Sequence, residues 1–284
     1  MAMLLFSTGV ITDDATFRAA GKAQSDAIVA MGLVRTADTG QINWATVARP
    51  AANTSAGYEM FAFADALQAT APVLIKIIWG CGLVNDRLRH IVQVGVGTNG
   101  AGAFLGWVTT ARTLSMSSVL DAGNVNRISG ATNRVCIAFN VHLNGATNCN
   151  VISVERTHNA AGGDTAQGVL VFYKDSNVGC PGSLLTFAGG ELDAHAYYAV
   201  GLAPSVGHGS TGTQTMAFPV FFAAGPFFNP SLNVLGMFPG NITVGVPLTI
   251  TLLGSGRQYI PLTTTGFQMF FYTTTSLALL MRND

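Results

Sequence analysis

The sequence predicts a mainly all-β protein, a β-sandwich or jelly-roll-like body with one amphipathic helix near its start. Three observations carry that prediction. About ten short runs rich in Val, Ile, Phe, Tyr and Thr follow one another, most with the period-two alternation of strands. Gly and Asn turn residues punctuate them, and the 33 glycines suit tight turns and bulges. A single stretch, by contrast, has the 3.6-residue period of a helix.

The helix comes first. Thr12 or Asp13 can cap it, and acidic Asp13 and Asp14 suit its positive end. Phe17, Ala20, Gln24, Ile28 and Met31 follow at spacings of 3, 4, 4 and 3, one stripe in which only Gln24 is polar. Gly32 stops it. Residues 1–34 therefore read as an N-terminal segment whose helix docks by one face. Residues 35–284 read as a β-rich domain: one unit, or two fused β sub-domains with a boundary near 160, at Gly162-Gly163.

The strand runs come next. Ala56 to Phe63 is the first, and Val73 to Trp79 follows Pro72. His90 to Val96 alternates into Thr98-Asn99-Gly100, a hairpin-type turn. Arg134 to Leu143 places Val135, Ile137, Phe139, Val141 and Leu143 on one face, and Asn150 to Arg156 resumes after Asn144-Gly145. Val169–Tyr173, His195–Leu202, Thr215–Phe222, Ile242–Leu253, Gln268–Thr273 and a closing Leu277–Arg282 complete the set.

Charge is scarce. Only 10% of residues are charged, against roughly 25% in average domains. Lys plus Arg balances Asp plus Glu at 14 each. A neutral chain is a poor binder of nucleic acid, which needs a clustered basic face, and a poor electrostatic membrane binder. Low charge implies either a surface of Ser, Thr, Asn and Gly or one covered by neighbouring subunits. Between Asp193 and Arg257 no charged residue occurs, while Phe218, Phe221, Phe222, Phe227 and Phe228 crowd the same run. That run is either main core or subunit contact. With Phe17, Ile28 and Met31 of the helix stripe, these phenylalanines are the candidate subunit-contact residues. Met216 to Met237 is apolar enough to suggest a membrane span, but Pro219, Pro226, Asn229 and Pro230 break it. The start has no basic region before its short apolar run, so a product assembled in a cytoplasm is expected.

No chemical motif survives scrutiny of its context. Gly95-Val96-Gly97-Thr98-Asn99-Gly100 matches a dinucleotide fingerprint, with Asp121 about twenty residues on. The chemistry requires a helix N-terminus aimed at the pyrophosphate. The residues that follow are broken by Gly102 and Gly106, so a hairpin loop is the better reading. Glu191, Asp193 and His195 share one face of a strand and are the best metal candidates, though a solvated polar face explains them equally well. Cys81, Cys136, Cys149 and Cys180 include no C-x-x-C pair and read as small buried apolar residues. No cofactor and no enzymatic activity are expected. Trp79, Trp107, Tyr197 and Tyr198 are candidate platforms for sugar rings, or simply core and interface.

Several segments resemble a recurrent class of tailed-bacteriophage virion proteins. They are the helix end Met31-Gly32-Leu33, the run from Tyr58 to Ile77 with its Ala69-Thr70-Ala71-Pro72 turn, and the loop from Gly95 to Gly102. Gly256 to Leu262 and the closing Leu280-Met281-Arg282 are similar more loosely. These motifs are architectural. The resemblance implies a virion structural subunit of tail, tail tip or baseplate, assembled in the host cytoplasm into a trimer or ring with other virion proteins. It leaves open a capsid decoration role, or a fibre module for a host surface receptor or glycan.

Overall fold

The helix forms where the capping chemistry puts it. In the computed structural model of the chain, α1 (Asp14–Ala30) is capped by Asp13. The Asp13 carboxylate accepts from Thr16 N at 2.8 Å, and Thr16 Oγ1 accepts from Asp13 N at 3.0 Å. Two amides that a helix start leaves open are thereby satisfied. Phe17, Ala20, Gln24, Ile28 and Met31 are all buried, as the stripe predicts. The structure describes residues 4–6, 10–82, 87–109, 111–115, 124–142, 149–174, 181–186, 190–197, 217–224, 227–237, 244–252, 255–262 and 278–284, with the backbone alone for 5–6, 114–115, 124–125, 140–142, 174, 181–186, 190–197, 217–224, 227–230, 236–237, 252 and 278.

The described strands form two antiparallel sheets. β1 (Leu4–Phe6) precedes the helix. β2 (Val34–Arg35), β3 (Ser55–Ala62), β4 (Leu74–Cys81), β5 (Leu88–Gly95) and β6 (Arg112–Ser115) make a five-stranded sheet in chain order. The second sheet holds β7 (Asn124–Ala131), β8 (Arg134–His142), β9 (Asn150–His158), β10 (Asp164–Lys174), β11 (Pro181–Thr186), β12 (Gly190–Tyr197) and β13 (Ala217–Ala224). It continues through β14 (Phe227–Met237), β15 (Leu248–Leu252), β16 (Ser255–Pro261) and β17 (Ala278–Arg282). Its order is β1-β7-β8-β9-β10-β11-β12-β13-β14-β17-β16-β15, a meander of nearest neighbours from β7 to β14 with β1 added beside β7 and β17 entering between β14 and β16.

Both faces of the β8–β9 region are covered, which is why β8 and β9 are buried at odd and even positions alike. On one face lie α1 and the five-stranded sheet. Val135, Ile137, Ile152, Val154 and Val171 share one core there with Phe17, Phe61 and Val92. An aromatic ladder crosses it: Phe17–Trp44 at 5.7 Å, Trp44–Trp79 at 5.3 Å, Trp79–His90 at 5.0 Å and His90–Phe139 at 4.7 Å between centroids. Burial pushes the His90 pKa down to about 3, so its ring is neutral. Its Nε2 lies 3.0 Å from Gln24 Oε1, which explains the one polar residue in the helix stripe. On the other face the sheet folds back on itself, and β14 packs over β9 through Ser231, Leu232 and Asn233.

One expectation is corrected. Phe17, Ile28 and Met31 do not form a subunit contact; they are at most 2% exposed and pack inside their own chain. The helix docks by its apolar stripe into a core that it shares with residues after 34. Gly162-Gly163 lies in the turn joining β9 to its hydrogen-bonded neighbour β10, where Asn159 N donates to Gly163 O at 2.8 Å.

Gly21 marks where α1 meets the ladder. A helix-interior glycine ordinarily gains about 0.5–1 kcal/mol on becoming alanine. Here a Cβ would fall 2.0 Å from Trp44 Cη2 and 2.2 Å from Cζ3. Trp44 is itself wedged against Phe17 and Trp79 and has nowhere to retreat. Overpacking of this kind costs about 1–3 kcal/mol, so the clash outweighs the propensity gain. Gly21→Ala is expected to lower the thermal midpoint; a raised midpoint would show that α1 is not seated on Trp44.

Candidate functional site

Two features project chemistry outward: a pinned loop between β5 and β6, and a charged cleft beside the β9–β10 turn.

The loop is the glycine fingerprint of the sequence, and it is a hairpin excursion. Isolated bridges Gly95–Val108 and Thr98–Phe104 extend the β5–β6 pairing into it. No helix follows, so the phosphate-binding geometry is missing here. The buried carboxylate of Asp38 anchors it. Asp38 Oδ1 accepts from Thr98 Oγ1 and from Gly102 N at 3.0 Å, and Oδ2 accepts from Thr36 Oγ1 at 2.6 Å. Burial alone would raise the Asp38 pKa, but these three donors outweigh it and hold the carboxyl below its ordinary value. Lys76 Nζ donates to Gly102 O at 2.6 Å while lying 4.7 Å from the centre of the Tyr58 ring. Gly102 sits at φ +81°, and a Cβ there would fall 2.2 Å from Tyr58 Cζ. Only glycine fits.

On this pinned frame Leu105 is 72% exposed and Trp107 is 45% exposed. Isolated exposed apolar residues are ordinary. Two of them, one residue apart on a loop held by a buried acid, form a preorganised apolar contact that loses little entropy on binding.

The cleft is built from residues far apart in sequence. It has a volume of about 240 Å³ and is lined by Arg134, Glu155, His158, Asp164, Arg257 and Arg282 with neighbouring Asn133, Gly162, Gly163 and Leu232. His158 is clamped between two acids: Nε2 is 3.0 Å from Glu155 Oε2, and Nδ1 is 3.3 Å from Asp164 Oδ1. Burial alone would lower the His158 pKa. Bonds to Asp164 and Glu155, and their charges, outweigh it and push the value up to about 9. An imidazolium held at both nitrogens is a structural cation, not a general base for substrate.

The remaining sequence candidates fall as follows. Trp79 is fully buried in the ladder and offers no platform for a sugar ring; Trp107 is exposed. Tyr198 lies outside the described residues. Tyr197, and Glu191, Asp193 and His195 of the metal candidate, lie in β12, with side chains outside the described set. The same holds for Phe218, Phe221 and Phe222 in β13 and for Phe227 and Phe228 in β14. Cys81, Cys136 and Cys149 are buried and outside any disulfide, as the composition suggests, and Cys180 lies outside the described residues. Among the described residues no group of three or more His, Cys, Asp and Glu is placed to hold a metal ion, and no helix is long and apolar enough to cross a membrane.

No protein-family model, no curated protein and no solved structure matches the chain, so its reading rests on its own residues.

Proposed function

We propose that the chain is a structural subunit of a bacteriophage particle, a tail, tail-tip or baseplate component that assembles with copies of itself and with other virion proteins. The observation that carries this is the pinned loop that holds Leu105 and Trp107 in solvent. The low charge of the chain and the charge-free run before Arg257 support it, because self-assembling surfaces bury neutral, apolar area. The segments that resemble tailed-phage proteins fall on architectural elements: the β3–β4 hairpin, the loop after β5, and strands β16 and β17. A trimer or ring is the expected symmetry.

Sedimentation tests this reading. The chain is expected to be oligomeric at micromolar concentration and to co-purify with particles. Leu105→Asp and Trp107→Asp each remove a contact of hot-spot size, about 2 kcal/mol or more, so association should weaken roughly 30-fold. Folding should change by no more than about 0.5 kcal/mol, as for ordinary surface substitutions. A wild-type chain that stays monomeric at high concentration and is missing from particles would overturn the proposal. The exposed indole of Trp107 favours one second reading, a glycan-binding role at the host surface, in which Trp107→Ala abolishes glycan binding and leaves assembly intact.

A further inference from the structure

The twelve-stranded sheet ends on a strand with no protection at its edge. β15 reads Leu248-Thr249-Ile250-Thr251-Leu252 and pairs with β16 residue for residue, without a bulge. Among the described residues no strand lies beyond it, and its backbone makes no hydrogen bond except to β16. The backbone groups of such a strand face its neighbour and the open side by turns, so a row of N–H and C=O groups is left unpaired. Thr249 and Thr251 are exposed, while Leu248 and Ile250 are half-buried against Leu235, Tyr259 and Leu280. The other edges are managed. β1 lies against α1, β2 is two residues long, and the Tyr173 hydroxyl donates to Thr113 O of β6 at 2.6 Å. Monomeric proteins blunt an edge with charge, proline, a bulge or a very short strand. β15 holds no charge, no proline and no bulge, and the nearest charged residue in sequence is Arg257 on β16.

We propose that β15 is the contact for a second copy of this chain, paired antiparallel about a two-fold axis through Ile250. The strand is complementary to itself. Its residue types read the same in both directions, Leu-Thr-Ile-Thr-Leu. In that register Ile250 meets Ile250, each Thr249 meets a Thr251, and each Leu248 meets a Leu252. Threonine then lies opposite threonine and aliphatic opposite aliphatic, cross-strand pairs that stabilise a sheet. A slip of one residue sets threonine against leucine and isoleucine and breaks the match. The edge is neutral, so the pairing brings no like charges together and takes no ion out of water. A two-fold contact of this kind closes with two copies. It is separate from the contact at Leu105 and Trp107, and it holds whether or not the chain belongs to a particle.

Charge placed on the strand tests the register. In the double variant Thr249→Lys, Thr251→Lys each lysine falls opposite a lysine of the other copy. In Thr249→Lys, Thr251→Glu each lysine falls opposite a glutamate. Both positions are exposed, so both double variants should fold. Sedimentation equilibrium of the full chain at low salt is run with Trp107→Asp in every sample, which removes the loop contact and leaves the edge to be read alone. A dimer is expected, with a Kd of about 10–100 μM, because a strand edge is smaller than a standard interface. The two lysines should weaken it by about tenfold or more, and the lysine–glutamate variant should stay within about threefold of its parent. Amide exchange at Thr249 and Thr251 should also slow as chain concentration rises, a readout that needs no change in the strand. A Trp107→Asp chain still monomeric at about 500 μM, well above that Kd range, would overturn the proposal. So would association indifferent to the two lysines, equal loss in both double variants, or exchange that ignores concentration. An unsubstituted chain that forms this dimer and nothing larger supports the edge contact and counts against the larger assembly proposed above, so the two can fail separately.

Discussion

Replacing Asp65 with alanine should destabilise the protein by about 3–5 kcal/mol, the cost of stranding a buried charge. The stranded group is Arg156. Its side chain is fully buried on β9, and its guanidinium is spent entirely on the segment after β3. Nε and Nη2 take both oxygens of Asp65, the second at 2.8 Å, and Nη1 donates to Ala71 O at 2.9 Å. The Phe63 ring lies 5.5 Å from the guanidinium carbon. This fork ties the twelve-stranded sheet to the five-stranded one. Being buried, it is little weakened by salt. Urea unfolding of Asp65→Ala measures the loss as a shift in midpoint at constant slope. The double variant Asp65→Ala, Arg156→Met removes both charges and should recover much of the loss, because an apolar replacement of a buried pair is often neutral. A loss below about 1 kcal/mol in the single variant would mean that the sheets are held by apolar packing alone.

Nothing in the sequence announces that pair. Glu155 and Arg156 sit side by side in an alternating strand and read as one charge in and one charge out. Both are buried, because β9 is covered on its two faces. The period-two signal reports which residues share a face; it does not report how many faces are covered. For the same reason β7 and β16 escape the pattern. β7 buries Asn126, Arg127 and Ser129, and β16 opens with Ser255-Gly256-Arg257 before its buried Tyr259 and Ile260. The helix was legible because its cap, stripe and stop are all local, and the strands from β3 to β5 were legible because Pro72 and the glycine turns bound them. The loop was readable as a turn from its glycines. Its anchor was not, since Asp38 and Thr98 stand 60 residues apart. The cleft is harder still: Arg134, His158, Arg257 and Arg282 are brought together only when the meander folds back.

That fold-back leads to the second large effect. Glu155, the neighbour of Arg156, points to the opposite face and anchors β14. Oε1 accepts from Ser231 Oγ and from Asn233 N, and Oε2 accepts from Leu232 N and from His158. Glutamine has the same shape, but one of its two terminal atoms is a donor. Whichever way it turns, that NH₂ meets a backbone N–H of β14. Glu155→Gln therefore loses charge-assisted bonds and buries opposed donors, and about 3–5 kcal/mol of destabilisation is expected. The pH profile separates this role from generic packing. The His158 pKa is raised in the fold, to about 9, above the ordinary 6.5. Its contribution is then fully present below about pH 6.5 and is lost as pH climbs through about 9. The loss is on the order of 3 kcal/mol for a shift of this size. In Glu155→Gln one of the two acids holding the imidazolium is gone, so His158 titrates nearer its ordinary value and the alkaline slope flattens. Denaturation midpoints from pH 6 to pH 10 decide the matter. If the variant keeps the wild-type slope, Glu155 is not what holds the proton on His158, and the clamp belongs to Asp164 alone.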